Sequence, residues 1–470
     1  METWRTELRA QMRLALPVVV IQLGLMSMGL VDTAFVGRFG VADQAAVQMA
    51  HGYAFLFLGF GMGVLSALDP LVSQAFGAKD EGGMRRAIQR ATILALLLTV
   101  PIMVGVALTE TVIGLEFFGQ PKSVVPIAGE YATISLLSVL PFLLFFVLKQ
   151  ALQAMHIMRP LVIAIIATNL LNVVLDWALV FGHLGFPAMG APGSSWATVV
   201  SRWALMLSVL WVAWPQLRPY LRHADAAARR PRPLLRMVGL GWPVGFSWTF
   251  EIGAFYAVLL MVGQFGEVWL AAHVVTMSIS SASFMIPLGV SIAGSVRVGN
   301  AIGASDGEAM RRSARVALIL GAGVMVIFAA LFLIIPEPFA RVFSDKPEVL
   351  AFAVVLIPLA GWFQVFDGTQ VVCSGILRGA GDTRMPMFIQ IFGFWGLGMP
   401  VAYWLGIHRD GGPSGLWWGL VAGLAIVALL QVWRVIARLS GEVRRTNLED
   451  EEPSLARIDD GEETDQPATS

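Results

Sequence analysis

Apolar residues run along the chain in long stretches that are separated by short polar segments. Each stretch reaches about 20 residues, the length that an α-helix needs to cross a bilayer. Because backbone groups in lipid must bond one another, unbroken runs of this length favour helices over barrel strands. The pattern therefore predicts twelve membrane-spanning helices. They are placed at 14–36, 44–75, 87–109, 127–150, 161–183, 194–215, 236–262, 268–300, 313–335, 348–375, 385–407 and 414–437.

A repeat divides the chain into two halves. Residues 75–86 read AFGAKDEGGMRR and residues 301–312 read AIGASDGEAMRR, and 7 of these 12 positions are identical at a constant offset (301 − 75 = 226). The same offset carries Gly63 onto Gly289. Duplicated halves in a chain this apolar are typical of transporters, in which a path runs between two lobes.

Six predicted spans fall in each half, so the two halves have the same orientation and their pseudo-two-fold axis runs along the membrane normal. The segment that joins them is rich in Pro, Ala and Arg, and the end of the chain is polar, mostly acidic and without apolar periodicity. The predicted organisation is an N-lobe at 1–215, a cytoplasmic linker at 216–235, a C-lobe at 236–438 and a disordered acidic cytoplasmic tail at 439–470.

Basic residues predict the orientation of the spans. With the N-terminus inside, the inside segments hold 26 of the 32 Lys and Arg residues and the outside segments hold 5. The remaining one, Arg202, falls within a span. This asymmetry is a positive-inside signal and places both termini in the cytoplasm.

The composition narrows the class of protein further. Hydrophobic residues make up 57% of the chain and charged residues 14%, against about a quarter charged in soluble domains. The formal net charge is zero, which argues against a nucleic-acid partner. The single cysteine, Cys373, rules out an internal disulfide and a multi-cysteine metal cluster. No cleavable signal peptide is predicted, and we expect a monomer surrounded by membrane lipids.

Four acidic residues lie inside predicted spans: Asp32, Asp176, Glu251 and Asp367. A charge at the bilayer centre costs roughly 2.5–3.5 kcal/mol on insertion scales, and such residues mark ion and substrate paths. The alternative is that each acid only hydrogen-bonds a neighbouring helix. Asp69 is also in an apolar setting, but we expect it near the water line at a helix end, where a charge costs little.

Helical spacing places other side chains beside these acids. Asn169, Asn172 and Asp176 form one polar stripe on an apolar helix. The apolar neighbours within a turn of an acid are candidate contacts for a cargo molecule, together with the acids Asp32, Glu251 and Asp367. They are Met28 and Phe35 beside Asp32, Trp248 and Phe255 beside Glu251, and Phe363 beside Asp367.

The acids are not part of the repeat. At the repeat offset, Asp32 corresponds to Val258, and Glu251 corresponds to Leu25. Acids that serve only the duplicated scaffold should occur in pairs. The two lobes are therefore expected to carry different polar sites on similar frames.

Several stretches resemble the multidrug and toxic compound extrusion (MATE) family, in its NorM-like bacterial branch. The resemblance covers nearly the whole chain up to about residue 438. The stretches that carry it are VDTAFVGRFG (31–40), LVSQAFGA (71–78), TNLLNVVLDW (168–177), AAHVVTMSISSASFMIPLGVSIAGSVRVGNAIGA (271–304) and GILRGAGDTR (375–384).

The resemblance implies a V-shaped bundle of two six-helix lobes in the bacterial inner membrane. It also implies export of cationic and amphipathic drugs in exchange for Na⁺ or H⁺, with no other cofactor and no enzymatic activity. An N-lobe cation site and a C-lobe pair of acids are implied too. The N-lobe set is Asp32, Asn169, Asn172, Asp176 and Thr198, and the C-lobe set is Glu251 and Asp367.

These residues support a mechanism of exchange by mutual exclusion. Oxygen ligands suit a hard cation, and a cationic drug competes for the same negative charge while aromatic and Met side chains hold its apolar body. Proline supplies bending points within the spans. They are Pro17, Pro141, Pro287 and Pro358.

Three other classes stay open on the residues alone. A flippase for lipid-linked precursors would need basic residues in the cleft for pyrophosphate, whereas acids dominate here and only Arg202 is a basic residue well away from the ends of a span. An intramembrane enzyme would need a nucleophile or metal motif, and HExxH and DDxxD patterns are absent from the sequence. A channel would not explain unlike acidic sites in two lobes.

Overall fold

The structure, a computed structural model, is built from helices. Twelve of them are long and apolar enough to cross a membrane, and each overlaps one of the twelve predicted stretches, so this prediction is confirmed. The described residues are 4–115, 121, 123–343, 345–441 and 443–449. The spans, named α1 to α12 in order, are Trp4–Phe39, Val41–Gly77, Glu81–Ile113, Val124–Ala154, Arg159–Phe181, Ala191–Val212, Pro231–Gly263, Glu267–Gly303, Gly307–Ile334, Pro347–Gly379, Arg384–His408 and Gly412–Ser440.

Some spans change their helical form on the way across. α2 consists of two helices, Val41–Leu65 and Leu68–Gly77, and α4 contains a 3₁₀ turn at Leu136–Ser138. α11 becomes a π-helix at Phe392–Gly398 and again at Trp404–His408. Non-α turns within a helix often lie next to functional sites.

The predicted bending prolines occupy two kinds of position. Pro17, Pro287 and Pro358 lie inside α1, α8 and α10, which are continuous α-helices. Pro141 lies in the first turn of the helix that follows the 3₁₀ turn of α4. Each interior proline leaves one backbone carbonyl without its helical partner, so these positions stay candidates for bending.

Two apolar cores show how the lobes α1–α6 and α7–α12 meet. The larger core fills the N-lobe and continues into one end of the C-lobe, where it includes Val290 and Ile376. The smaller core fills the rest of the C-lobe and includes Phe363 and Trp417. The lobes are therefore joined at one end, which we call the basic face because α1 begins and α12 ends there, amid most of the basic loops.

Glycines allow the lobes to approach closely at this end. A Cβ built on Gly63 of α2 would lie 2.3 Å from the Cα of Gly245 in α7. A Cβ built on Gly289 of α8 would lie 2.5 Å from the side chain of Val19 in α1. The repeat offset carries Gly63 onto Gly289 and Val19 onto Gly245. The contact between α2 and α7 therefore corresponds to the contact between α8 and α1, and the two are related by a pseudo-two-fold axis. Only a residue without a side chain permits either approach.

Polar contacts between the lobes also lie at the basic face. Glu7 of α1 forms an ion pair with Arg297 of α8, and the Ser313 hydroxyl donates to the Glu7 carboxylate over 2.8 Å. The Gln74 amide donates to the carbonyl oxygen of Gly379 over 2.9 Å. These contacts close this end of the bundle.

Asp69 corrects an expectation from the sequence. It is only 4% exposed rather than at the water line. Its Oδ2 accepts from Arg378 Nε over 3.1 Å and from the Ser295 hydroxyl over 3.3 Å, and both partners belong to the C-lobe. These partners lie in the other half of the chain, so no local pattern around Asp69 could indicate them. Asp69 is a buried inter-lobe residue.

Two aspartates at equivalent repeat positions cap helices at the basic face. The Asp80 carboxylate accepts from the Gly83 N–H over 2.7 Å, and the equivalent Asp306 accepts from the Ala309 N–H over 2.8 Å. Partial burial alone would raise the pKa of Asp80. The Gly83 hydrogen bond and the nearby charge of Arg445 outweigh that effect and hold this pKa below its usual value.

The predicted disordered tail is wrong for its first residues. α12 continues to Ser440, and residues 443–449 lie against both lobes. We call residues 443–449 the strap. Arg445 donates to Asp80 over 2.6 Å, whereas Arg236 of the C-lobe donates to the Leu448 carbonyl over 3.0 Å. The rest of the tail, 450–470, lies outside the described residues.

The linker is more ordered than its composition suggests. The helix Trp214–Leu221 covers its start, a 3₁₀ turn covers Ala226–Arg229, and α7 already begins at Pro231. The Gln89 amide of α3 donates to the Tyr220 carbonyl over 2.8 Å. The linker is thereby held against the N-lobe.

Candidate functional site

Three N-lobe helices bring part of the predicted cation site together. Asp32 of α1 is 5% exposed. Its Oδ1 accepts from the Asn172 amide of α5 over 3.0 Å, and its Oδ2 accepts from the Thr198 hydroxyl of α6 over 2.7 Å. The three predicted residues therefore converge on one point, although they are separated by up to 166 positions in the chain.

Asp176 lies beside this cluster without being paired. It is fully buried, one turn beyond Asn172 on α5, and its carboxylate repels that of Asp32. Neither Asp176 oxygen has a hydrogen-bond partner among the described residues, and the same holds for Asn172 Oδ1 and the Ser194 hydroxyl. Several buried polar atoms around two acids thus lack hydrogen-bond partners among the described residues, which is a costly arrangement for protein alone.

Asn169 does not join this cluster. Its Oδ1 accepts from the Ser27 hydroxyl over 2.9 Å, and its Nδ2 donates to the Ile165 carbonyl over 2.8 Å. The side-chain oxygen therefore links α1 to α5, while the nitrogen is bonded within α5. Asn169 is therefore separate from the cluster in this conformation, because a shared helix face does not fix which turn meets the neighbouring helix, and its role as a cation ligand stays a prediction.

The two C-lobe acids are linked through glutamine. The Gln370 amide of α10 donates to Glu251 of α7 over 2.9 Å and to Asp367 over 3.3 Å. Gln390 of α11 donates to the Gln370 carbonyl over 3.0 Å, and its Nε2 lies 3.5 Å from the second oxygen of Glu251. Asp367 is 6% exposed and Glu251 is half-buried. The predicted acid pair therefore forms one hydrogen-bonded group.

The candidate cargo contacts divide into partly open and buried side chains. Phe35 is half-buried and packs on Phe181 at 5.9 Å between ring centroids, and Trp248 is half-buried as well. Phe255 packs on Phe363 at 5.8 Å. Met28, at 6% exposed, is closed to a cargo molecule in this conformation.

Phe363 corrects the sequence prediction. It is 2% exposed and packs between Phe255 and Trp417 in the smaller core. Phe363 lies one helical turn before Asp367, but its ring packs in the apolar core, whereas Asp367 belongs to the hydrogen-bonded acid group. Phe363 is a core residue rather than a cargo contact in this conformation.

Sequence reasoning missed several residues of both sites. Tyr131 of α4 and Ser194 of α6 lie by the N-lobe acids, where Tyr131 interacts with Asp32. Gln390 joins the C-lobe group. None of the three carries a charge that would mark it in an apolar span, and only packing between the helices places it beside the acids.

Both sites offer donor sets that fit a hard cation or a proton. Within the described part of the chain, no group of three or more His, Cys, Asp or Glu side chains surrounds a common point. A metal ion would therefore take amide and hydroxyl oxygens besides the carboxylates. Such oxygen-only sets suit Na⁺ better than a transition metal.

Arg202 is occupied inside the N-lobe. Its Nη1 donates to the Ser138 hydroxyl over 2.9 Å, and its guanidinium lies 4.5 Å from the ring centroid of Phe142. This basic residue thus packs against α4.

Twelve spans in two repeated lobes, each with its own buried acids, define a membrane transporter fold. Comparison with known proteins agrees. The MatE family model matches the chain twice, at residues 17–178 and 243–404, and the two matches start at the same offset as the repeat (243 − 17 = 226). The chain therefore belongs to the MatE family.

Relatives place the chain in the NorM-like branch. It is 36% identical over 90% of its length to "Multidrug resistance protein NorM" of Burkholderia vietnamiensis, covering 92% of that protein. It is 34% identical over 92% of its length to "Probable multidrug resistance protein NorM" of Rhizobium meliloti (strain 1021), covering 94% of it. The crystal structure of the eukaryotic MATE transporter AtDTX14 superposes with a TM-score of 0.85 at 21% identity, over 95% of this chain and 97% of that one.

Proposed function

We propose that this protein is a multidrug efflux antiporter that exports cationic and amphipathic compounds across the bacterial inner membrane in exchange for Na⁺ or H⁺. Two findings support the proposal. A relative that is 36% identical over 90% of the chain is named as a multidrug resistance protein, and each lobe holds buried acids that its scaffold does not need. The working unit is a single chain among lipids.

The observation that carries the proposal is the unpaired state of Asp176. Both of its oxygens are buried without a donor, next to a second carboxylate. An isolated charge in such a place is strongly unfavourable, so a proton or a cation must neutralise it. The neighbouring oxygens of Asn172 and Asp32 fit a cation, and either carboxylate fits a proton.

The C-lobe group offers a second place for exchange. Glu251 and Asp367 repel each other and share one amide donor, Gln370. A bound proton or Na⁺ relieves that repulsion, and a cationic drug nearby relieves it too. The two occupants therefore exclude each other, which couples export of one to import of the other.

The distribution of basic residues supports an orientation of the protein in the membrane. Basic loops lie at the face where the lobes are closed, and the positive-inside rule assigns that face to the cytoplasm. In this conformation the lobes are then sealed towards the cytoplasm, which is the state that follows release of a drug outside. Both termini are cytoplasmic in this orientation.

Transport by purified protein in liposomes tests the proposal. We expect ethidium efflux to be driven by an imposed Na⁺ gradient or by an imposed pH gradient, and to be lost in both Asp32→Asn and Glu251→Gln. Glu348→Gln, at an exposed acid in the first turn of α10, is the matched control and should transport like the parent. Efflux that continues without either gradient, or that survives both substitutions, contradicts the proposal.

A lipid-precursor flippase gains no support from the structure. Its pyrophosphate cargo needs free basic groups, whereas Arg202 is held by Ser138 and Phe142. Binding of a lipid pyrophosphate without binding of a cationic dye would favour the flippase instead.

A further inference from the structure

Gln390 occupies a special place in α11. It is 4% exposed and lies one residue before the end of the helix Arg384–Ile391. Its Nε2 donates to the Gln370 carbonyl over 3.0 Å, and the same atom lies 3.5 Å from Glu251 Oε2. Nothing in the repeat or in the acid pattern of the sequence singles this residue out.

The bond to Gln370 fixes the direction of an amide. A glutamine side chain has two donors on one end and an acceptor on the other. Because Gln390 donates to the Gln370 oxygen, the Gln370 nitrogen is turned towards Glu251 and Asp367. A reversed Gln370 would lose three hydrogen bonds at once. Gln390 therefore fixes the Gln370 side chain with its nitrogen, rather than its oxygen, towards the two acids.

A second residue of α11 holds the backbone next to Glu251. The indole Nε1 of Trp395 donates to the carbonyl of Phe250 over 2.9 Å. The Trp395 ring lies against Gly253, where a Cβ would be 3.4 Å from the indole. α11 thus contacts both the carboxylate of Glu251 and the peptide group just before it.

The π-helical turn accounts for this spacing. Trp395 lies five residues after Gln390 and within the segment Phe392–Gly398. A π-turn is wider than an α-turn and bonds residue i to i+5. The same segment packs on α12, where Gly393 and Gly398 approach Gly423. The π-turn therefore contacts α12 as well as α7.

We infer that Gln390 is a positioning residue for the C-lobe site: through Gln370 and Glu251 it sets how tightly that site binds the coupling cation, without being a ligand itself. This inference rests on the proposed role of Glu251 and Asp367 in cation binding. On this inference, α11 links the C-lobe acids to α12, so a change at the acids alters how α11 packs on α12.

Substitution of Gln390 by Met tests the inference. Met fills a similar volume but has no donor, so the packing is kept while both hydrogen bonds are lost. We measure binding of radiolabelled Na⁺ to the purified full-length protein, and proton uptake with a pH-indicator dye. In Gln390→Met we expect the midpoint of the cation that binds to shift to about tenfold lower concentration, because a carboxylate that loses a donor binds a positive charge more tightly, with the maximal ethidium transport rate within about twofold of the parent.

A matched buried glutamine separates this effect from general loss of stability. Gln431 of α12 is fully buried in the same lobe, and it accepts from Ser374 rather than from the acids. Gln431→Met also removes a buried side-chain hydrogen bond in this lobe, and it should leave the cation midpoint unchanged. Equal shifts of the cation midpoint in both variants would overturn the inference.

The double variant distinguishes this inference from the proposed function. If Gln390 acts through Glu251, then Gln390→Met adds nothing to the effect of Glu251→Gln on cation binding. An unchanged cation midpoint in Gln390→Met, together with an altered one in Glu251→Gln, overturns the inference and leaves the proposed function standing. Unchanged binding in Glu251→Gln overturns the proposed function.

Discussion

Ser295 and Asp69 hold equivalent positions in the two repeats, and they are hydrogen-bonded to each other over 3.3 Å. A contact between equivalent positions is possible only where they approach the pseudo-two-fold axis. The axis therefore passes between these two side chains, in the closed basic face. Arg378 binds the same oxygen of Asp69 and has no counterpart in the N-lobe, where the offset leads to Leu152. The two lobes therefore differ in charge close to the axis, where Arg378 and Asp69 have no charged counterparts.

Removing the charge of Asp69 should weaken the closed state. In Asp69→Asn the buried Arg378 loses its ionic partner, and breaking one side of a buried pair costs about 3–5 kcal/mol. We expect the lobes to separate at the basic face. Distances between spin labels at Lys79 and Ser305, two exposed and equivalent loop positions, should become longer and broader.

The exposed pair Glu337 and Arg341 provides the control for that experiment. These residues are one helical turn apart and more than half exposed, and such surface pairs contribute about 0–1 kcal/mol. Glu337→Gln should leave the label distances unchanged. Distances that stay the same in Asp69→Asn would show that the pair does not hold the face closed.

A methyl group on Gly303 should also prevent closure. A Cβ at this position would lie 1.9 Å from the carbonyl oxygen of Gln74, which is backbone and cannot turn away. We expect Gly303→Ala to shift the same label distances towards the open form and to reduce ethidium transport by at least tenfold. Gly323→Ala is the control, since a Cβ there has open space around it. If Gly303→Ala keeps the parent's label distances and transport rate, then α8 and α2 can move apart at this contact without loss of function.

Local patterns predicted the frame, whereas contacts between helices decided the sites. Length and hydropathy placed all twelve spans, because one span in lipid must satisfy its own backbone. The acids Asp32 and Asp367 were visible for the same reason, since a charge in an apolar run is conspicuous. The partners of Asp69, the role of Gln390 and the loss of Phe363 from the site depend on which helix turns face each other. That information lies in packing between helices that are distant in the chain, and it leaves no local periodicity.

The strap should detach as the pH falls. Asp80 binds Arg445 and has a pKa below that of an unfolded carboxyl, so its contribution is complete above the ordinary pKa of about 4 and is lost as the pH falls through the lowered value. A fluorescent label on Thr446→Cys, in a background where Cys373 is replaced by Ala, should gain mobility in that acidic range. Asp80→Asn keeps the cap but not the charge, so its label should be mobile already at neutral pH. Equal mobility of the label in both proteins at every pH would show that Arg445 is held by other contacts.

The N-lobe stripe gives the sharpest comparison between neighbouring residues. Asn172 donates to Asp32 over 3.0 Å, whereas Asn169, one turn away, is bonded to Ser27 and to its own helix. In Asn172→Leu we expect Na⁺ binding at the N-lobe to weaken by at least tenfold, because the cation loses an oxygen ligand. Asn169→Leu should lower the melting temperature through the lost α1–α5 contact and leave the cation midpoint unchanged. Titration of both variants with Na⁺ measures their cation midpoints, and thermal unfolding measures their melting temperatures. If Asn169→Leu weakens cation binding as much as Asn172→Leu, then the stripe acts as a unit and α5 must rotate when the cation binds.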